Sequence, residues 1–260
     1  MKGKKENNGI SRIVKLSIAG LLMLFLFFCI NMRLGGQLDK MVLKIKKRGD
    51  NKQLIYKHDV KQIIGKELGH KISMTQFRDL DLYTLEKALE ADSRISRAEL
   101  YLDKNNVMTI GIIQNLPIAR VEVSGGEDYY LDMEGNKVPI GGDLIRVPVV
   151  TGSVDRFMAN YRKDIEHNLN YVHTVSKRIY EDDFLSALVS QIHVTEEDDI
   201  ILIPIVGSDR IALGQAELLE EKIYKLKIYY REGLKEIGLS RFQELNLRYE
   251  GQIGGVKRDS

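Results

Sequence analysis

The chain has 260 residues, 43% hydrophobic and 29% charged, with 39 basic against 37 acidic side chains and one cysteine. The apolar fraction can supply real cores, and a single cysteine closes no internal bridge, so disordered, collagen-like and disulfide-stapled classes are excluded. The near-neutral total hides a split. Residues 1–48 hold eleven basic and two acidic side chains, which makes them +9 and the remainder −7. That asymmetry argues against a uniformly basic nucleic-acid binder and for a short basic segment with its own task.

The task is read from residues 13–30, IVKLSIAGLLMLFLFFCI, whose only charge is Lys15. As a helix this run is about 27 Å long, close to the roughly 30 Å hydrocarbon thickness of a bilayer. Lys15 lies near one end, where its ammonium can reach the headgroups. Lys2, Lys4, Lys5 and Arg12 also suit a signal peptide, but the exit reads NMRLGG and offers no small-x-small cleavage site. The expectation is a basic tail over 1–12, an uncleaved single-pass transmembrane helix over 13–32, and the larger folded part exported. Cys29 falls inside this helix and reads as a packing residue.

A first soluble unit is expected over 40–117. MVLKIKK at 41–47 alternates as a strand, and Gly49, Asp50 and Asn51 break it. Val60, Ile63, Ile64 and Leu68 then repeat at helical spacing, with Gly69 as the stop. A second helix carries Leu82, Leu85 and Leu89, beginning at Asp81 or Thr84. Ala98, Leu100 and Leu102 alternate with Arg97, Glu99, Tyr101 and Asp103, and residues 104–106 (KNN) supply a hairpin turn into VMTIGIIQN. The order β-α-α-β-β describes a small sheet covered on one face by two helices.

A second unit is expected over 118–256, after the junction at Pro117. RVEVSGGEDYYLDMEGNKVPI carries hairpin signals, and LIRVPVVTG reads as an edge or end-of-strand segment because of Pro148. Helical spacing appears over 155–172 and again from Asp182 to His193. IILIPIV and DRIALG are strands, Pro204 arguing against a fully bonded central position for the first. QAELLEEKIYKLKIYYREG is the clearest helix, and RFQELNLRYEGQI is expected to be the final strand. The fold class is α+β, with a mixed, mainly antiparallel β domain and flanking helices after the first module.

Sequence chemistry supports no catalytic, cofactor or metal site. His58, His70, His167, His173 and His193 are scattered and read as surface residues, with no HExxH and no Cys/His group. The acidic stretches 181–183 and 196–199 lack calcium-loop spacing and read as solvated turns. The glycine pairs 125–126, 141–142 and 254–255 precede no phosphate-binding lysine, and Ser153 and Ser176 stand in no nucleophile elbow. Lys44, Lys46, Lys47 and Arg48 form a basic run near the membrane. A solvated strand face is the plainer reading, and contact with anionic lipid or an acidic partner is the functional one.

These features together resemble the FtsQ/DivIB family of bitopic bacterial cell-division proteins. The resemblance rests on DSRISRAELYLDKNNVMTIGI within Leu82 to Asn115, the junction Leu116-Pro117-Ile118-Ala119, and Tyr130 to Gly135. RVPVVTG at 146–152 and Asn246-Leu247-Arg248-Tyr249 complete it. Gln114-Asn115 and Asn246 stand where the family commonly has acidic residues, and the GGVKRDS end is short, as in a divergent member. The resemblance implies a POTRA-like first module, no enzymatic activity, and docking of FtsB and FtsL at the septum by a protein whose bulk is extracytoplasmic. Strand addition at an exposed sheet edge is the compatible mechanism. It points to Tyr229, Tyr230, Leu245, Leu247, Arg248, Tyr249 and Gln252 as partner-binding residues, whose plainer reading is simple packing of the last helix and strand. A POTRA-bearing chaperone or transport component is the competing class, but here the module occurs once and no amphipathic strand array follows it.

Overall fold

A computed structural model describes residues 7–34, 40–46, 52–70, 76, 80–103, 107–164, 166–215, 217–233, 242–249 and 251–258. Helix α1 (Asn7–Leu34) contains the apolar run and exceeds it at both ends. Every described side chain from 14 to 29 is exposed, Leu16 at 73%, Met23 at 76% and Phe27 at 65% among them. Since these positions fall on all sides of a helix, no face of α1 packs against protein. Cys29 is exposed as well, so protein packing does not account for it. Among the described residues, no helix is long and apolar enough to cross a membrane. The expected segment 13–32 is thus present as a helix without meeting that requirement; described side chains cover residues 14–29 of it.

Contacts divide the chain into two compact units. The first comprises Met1–Lys46, Lys57–Asp92 and Arg97–Ile113, the second Lys47–Tyr56, Ser93–Ser96 and Gln114–Ser260. The first contains β1 (Lys40–Lys46), α2 (Lys57–Leu68), α3 (Leu82–Glu90), and most of β2 (Ile95–Leu102) and β3 (Val107–Gln114). The strands lie in the order β1-β3-β2, with β1 parallel to β3. A parallel pair needs a crossover, which α2 and α3 provide. Val60 and Ile64 of α2, Leu85 and Leu89 of α3, Ala98 and Leu100 of β2, and Met108, Ile110 and Ile112 of β3 are buried. Each large aliphatic side chain so buried contributes about 1.5–3 kcal/mol. Asp81 begins α3: its carboxylate accepts from the Thr84 amide at 3.1 Å and from the Thr84 hydroxyl at 2.8 Å. The turn expected at 104–106 lies outside the described residues.

The second unit is built on a nine-stranded sheet in the order β12-β11-β10-β9-β8-β7-β4-β5-β6. Its strands are β4 (Pro117–Val121), β5 (Tyr129–Asp132), β6 (Lys137–Pro139), β7 (Val149–Gly152), β8 (Val189–Val194), β9 (Ile200–Pro204), β10 (Arg210–Gly214), β11 (Phe242–Asn246) and β12 (Gly254–Lys257). The pairs β4/β7, β7/β8 and β10/β11 are parallel. The other five pairs are antiparallel. Helices α4 (Asn168–Tyr180), α5 (Asp183–Leu188) and α6 (Leu219–Ile228) add Leu169, Val172, Ile179, Leu185, Ile223 and Leu226 to one core with Val121, Val150, Ile192, Ile211 and Leu245 of the strands.

Four expectations need correction here, and a fifth is narrowed. The helix expected over 155–172 is largely irregular, with one 3-10 turn at Tyr161–Lys163, and α4 starts only at Asn168. Asn168 explains the late start. Its side chain accepts from the Asp155 amide at 2.9 Å and donates to the Ser153 carbonyl at 2.8 Å, bonds that compete with a continuous helix. The helix expected from Asp182 to His193 stops at Leu188, where the β-branched Val189, Ile192 and Val194 continue as β8. Of the two readings offered for the segment with Pro148, end-of-strand fits and edge does not: the proline stands directly before β7, an interior strand, and its carbonyl accepts from the Arg120 amide. Pro204 likewise lies in an interior strand, as the last residue of β9, where the absent donor breaks nothing. The last strand is β12, returning antiparallel to β11 after a turn in which Gly251 has φ +77°.

Candidate partner-binding edge

Strand β12 is the terminal strand of the large sheet on the carboxy-terminal side, and β11 lies inside it, between β10 and β12. The register pairs Glu244 with Val256, Leu245 with Gly255 and Asn246 with Gly254. Gly255 sits where a Cβ would be 2.5 Å from the Phe242 ring, so β12 lies close over an aromatic side chain. Arg258 extends the strand and pairs with Asp209 at 2.5 Å, while the Asp209 amide donates to the Gln243 carbonyl at 3.0 Å. The ion pair fastens the end of β12 to the domain, and the amide bond holds Asp209 against β11. An edge strand held in this way presents its other row of amides and carbonyls outward.

The seven candidate residues divide sharply. Leu245 and Leu247 are 0% and 1% exposed and belong to the core. Tyr229 and Tyr230 lie in a π-helical turn after α6 and are half-buried against that core. Tyr230 meets Phe184 edge-on at 5.6 Å and Tyr229 at 5.7 Å, and its hydroxyl donates to the Val206 carbonyl at 2.9 Å. Burial pushes its phenol up to about 12. The exposed Arg248 pairs with Asp199 at 2.8 Å. Tyr249 is 61% exposed, and Gln252 is exposed in the turn before β12. Tyr249 and Gln252 are therefore the candidates available to a side-chain contact. Sequence reasoning missed Val256 of β12, 52% exposed, whereas Leu218 and Tyr224 at α6, 56% and 64% exposed, belong to the helix it pointed to. A four-residue strand that opens on two glycines gives almost no alternation by which Val256 could have been found.

Lys44 and Lys46 are exposed on β1, and Lys47 and Arg48 lie outside the described residues. Two histidines expected at the surface are instead buried: His167 and His173 are each 6% exposed. The His173 Nε2 lies 3.2 Å from the Met133 carbonyl, and desolvation lowers its pKa. The His167 Nε2 lies 3.2 Å from the Arg156 carbonyl. Both serve local structure. Among the acidic stretches, Asp182 caps α5 through the Leu185 amide, and Asp198 accepts from Asn168 at 2.7 Å. No group of metal-ligating side chains occurs among the described residues. A cleft of about 550 Å³ in the second unit has Ile118, Val147, Ile179 and Val189 in its walls, and its described lining holds no histidine, cysteine or carboxylate for acid–base work.

A family model described as FtsQ/DivIB, C-terminal related, matches residues 116–254, which run from the start of β4 to the start of β12. No curated protein matches the chain.

Proposed function

The chain belongs to the FtsQ/DivIB, C-terminal related family, a family of non-enzymatic cell-division scaffolds, and on that premise we propose that it is a membrane-anchored scaffold recruiting FtsB and FtsL to the septum. The observation that carries this reading is the terminal position of β12 in the large sheet. A partner segment adds a strand there, its main chain satisfying the outward backbone groups while exposed Val256, Tyr249 and Gln252 select side chains. The first module, β-α-α-β-β in order, acts as a POTRA-like second docking surface.

The anchor is inferred from the apolar run at 13–30 together with the exposure of all described side chains at 14–29. A bare apolar surface of this kind is stable only when something covers it, and a bilayer covers every face at once. The basic tail then stays cytoplasmic and the chain from β1 onward lies outside, linking early cytoplasmic assembly to septal wall synthesis.

Membranes from cells making the tagged full-length chain, extracted with alkaline carbonate and then with mild detergent, test both parts. The chain should resist carbonate and co-purify from detergent with FtsB and FtsL. Release by carbonate ends the anchor reading, and capture of neither partner ends the scaffold reading.

A further inference from the structure

Strand β2 is the outer strand of the first unit's sheet, next to β3 in the order β1-β3-β2. Two of its outward amides are covered by helix α3. The Leu100 amide donates to the Glu86 carboxylate at 2.6 Å, and the Ala98 amide donates to the Glu90 carboxylate at 3.3 Å. Both glutamates stand on α3, one turn apart, so one helix face serves alternate residues of the strand. Lys87 Nζ lies 2.8 Å from the other oxygen of Glu90 and holds that side chain in place. An amide bonded to a carboxylate is satisfied more strongly than one bonded to a neutral carbonyl, so an incoming strand must displace two charge-assisted bonds before it can pair.

We propose that the outer edge of β2 is a self-pairing surface for a second copy of this chain, held closed by Glu86 and Glu90. The occupant follows from the charges on the strand. Arg97 and Glu99 are exposed, 65% and 60%, and lie 3.0 Å apart on one face. Antiparallel pairing of β2 with its own copy about Ala98 puts Arg97 of each copy opposite Glu99 of the other. Ala98 then exchanges amide and carbonyl bonds with its counterpart. The contact is isologous, as a two-fold dimer requires, and joins two three-stranded sheets into one of six. The closed latch keeps the unit from edge-to-edge association, and turning both glutamates outward frees Ala98 and Leu100 for it. This inference rests on α3 and β2 and is independent of docking at β12.

The test is sedimentation of the full-length chain in detergent as a function of concentration, with Glu86→Ala and Glu90→Ala combined. The dimer dissociation constant should fall by roughly tenfold or more, since two charged acceptors no longer compete. Adding Arg97→Glu should return the chain to monomer by opposing like charges, and adding Glu99→Arg to that should restore the dimer. The pair Glu86→Gln and Glu90→Gln, which keeps side-chain shape, should shift the equilibrium in the same direction and carries the test if the alanine chain does not fold. A parent-like mass at every concentration in the folded variants overturns the proposal. So does a dimer indifferent to Arg97→Glu, which would join elsewhere.

Discussion

The Tyr230 hydroxyl donates to the Val206 carbonyl at 2.9 Å, tying the turn after α6 to the connection between β9 and β10. That bond gives Tyr230 a structural role, whether or not a partner also touches its ring. Tyr230→Phe should lower stability by about 0.5–1.5 kcal/mol, the usual net worth of one hydrogen bond, and leave FtsB capture unchanged. Burial raises the phenol from 10.0 to about 12. A raised value means that its contribution is complete below pH 10 and is lost as pH rises towards 12. Thermal midpoints of parent and variant should therefore converge over that alkaline interval; a loss of partner capture in the folded variant would return Tyr230 to the binding surface.

Asp182 makes the opposite prediction at acid pH. Burial acts to raise its pKa, but the Lys227 ammonium, the Leu185 amide and the Arg178 guanidinium together outweigh that and hold it below the ordinary 3.8. A depressed value stabilises the folded state above pH 3.8, and the benefit disappears as pH falls through the folded-state value. Asp182→Ala removes the cap of α5 and leaves two cations without their shared carboxylate. It should cost about 2–4 kcal/mol at neutral pH. Urea midpoints measured from pH 7 downwards should show the gap closing below about 3.8, and a pH-independent gap would mean that capping and packing alone set it.

What the sequence made legible followed periodicity. The stripe Leu82, Leu85, Leu89 marked α3, and alternation of Ala98 and Leu100 marked β2. Periodicity failed where one side chain redirected the backbone. Asn168 binds Asp155 and Ser153, so a 3.6-residue pattern upstream of it never became a helix. At Leu188 to Val189 a single apolar run passes from helix to strand, and only β-branching marks the change. In the candidate site, alternation placed Leu245 and Leu247 on one face, and that face is the core. The covering of β11 by β12 depends on a turn in which Gly251 takes positive φ and on a four-residue strand that opens on two glycines, which carries almost no alternation to read.

Gly142 fixes a crossing of two chain segments inside the second unit. It has φ +68°, and a Cβ there would be 2.2 Å from the Gln53 carbonyl oxygen. The same segments are joined by the Asp143 amide donating to Gln53 at 2.7 Å and the Gln53 amide donating to the Asp143 carboxylate at 3.0 Å. Gly142→Ala must strain the backbone and push Gln53 away, at a combined cost of about 2 kcal/mol or more. Hydrogen exchange should quicken at the Gln53 amide before it does in the sheet. Unchanged exchange there would show that the crossing absorbs a methyl group.

Val256 and Lys257 are neighbours in β12, so their amides point to opposite sides of the strand, one towards β11 and one outward. Proline removes the amide it replaces and adds bulk on that side. Placed on the inner side it should break the ladder with β11 and lower the thermal midpoint of the full chain. Placed on the outer side it should leave that midpoint within about 1 °C of parent, because no internal bond is lost. The two variants, Val256→Pro and Lys257→Pro, thus identify the outward residue by stability alone. The variant that keeps its stability is the one expected to lose FtsB and FtsL, since an added strand needs the donor it lacks. If that stable variant still captures both partners at parental yield, strand addition at β12 is not how this scaffold holds them.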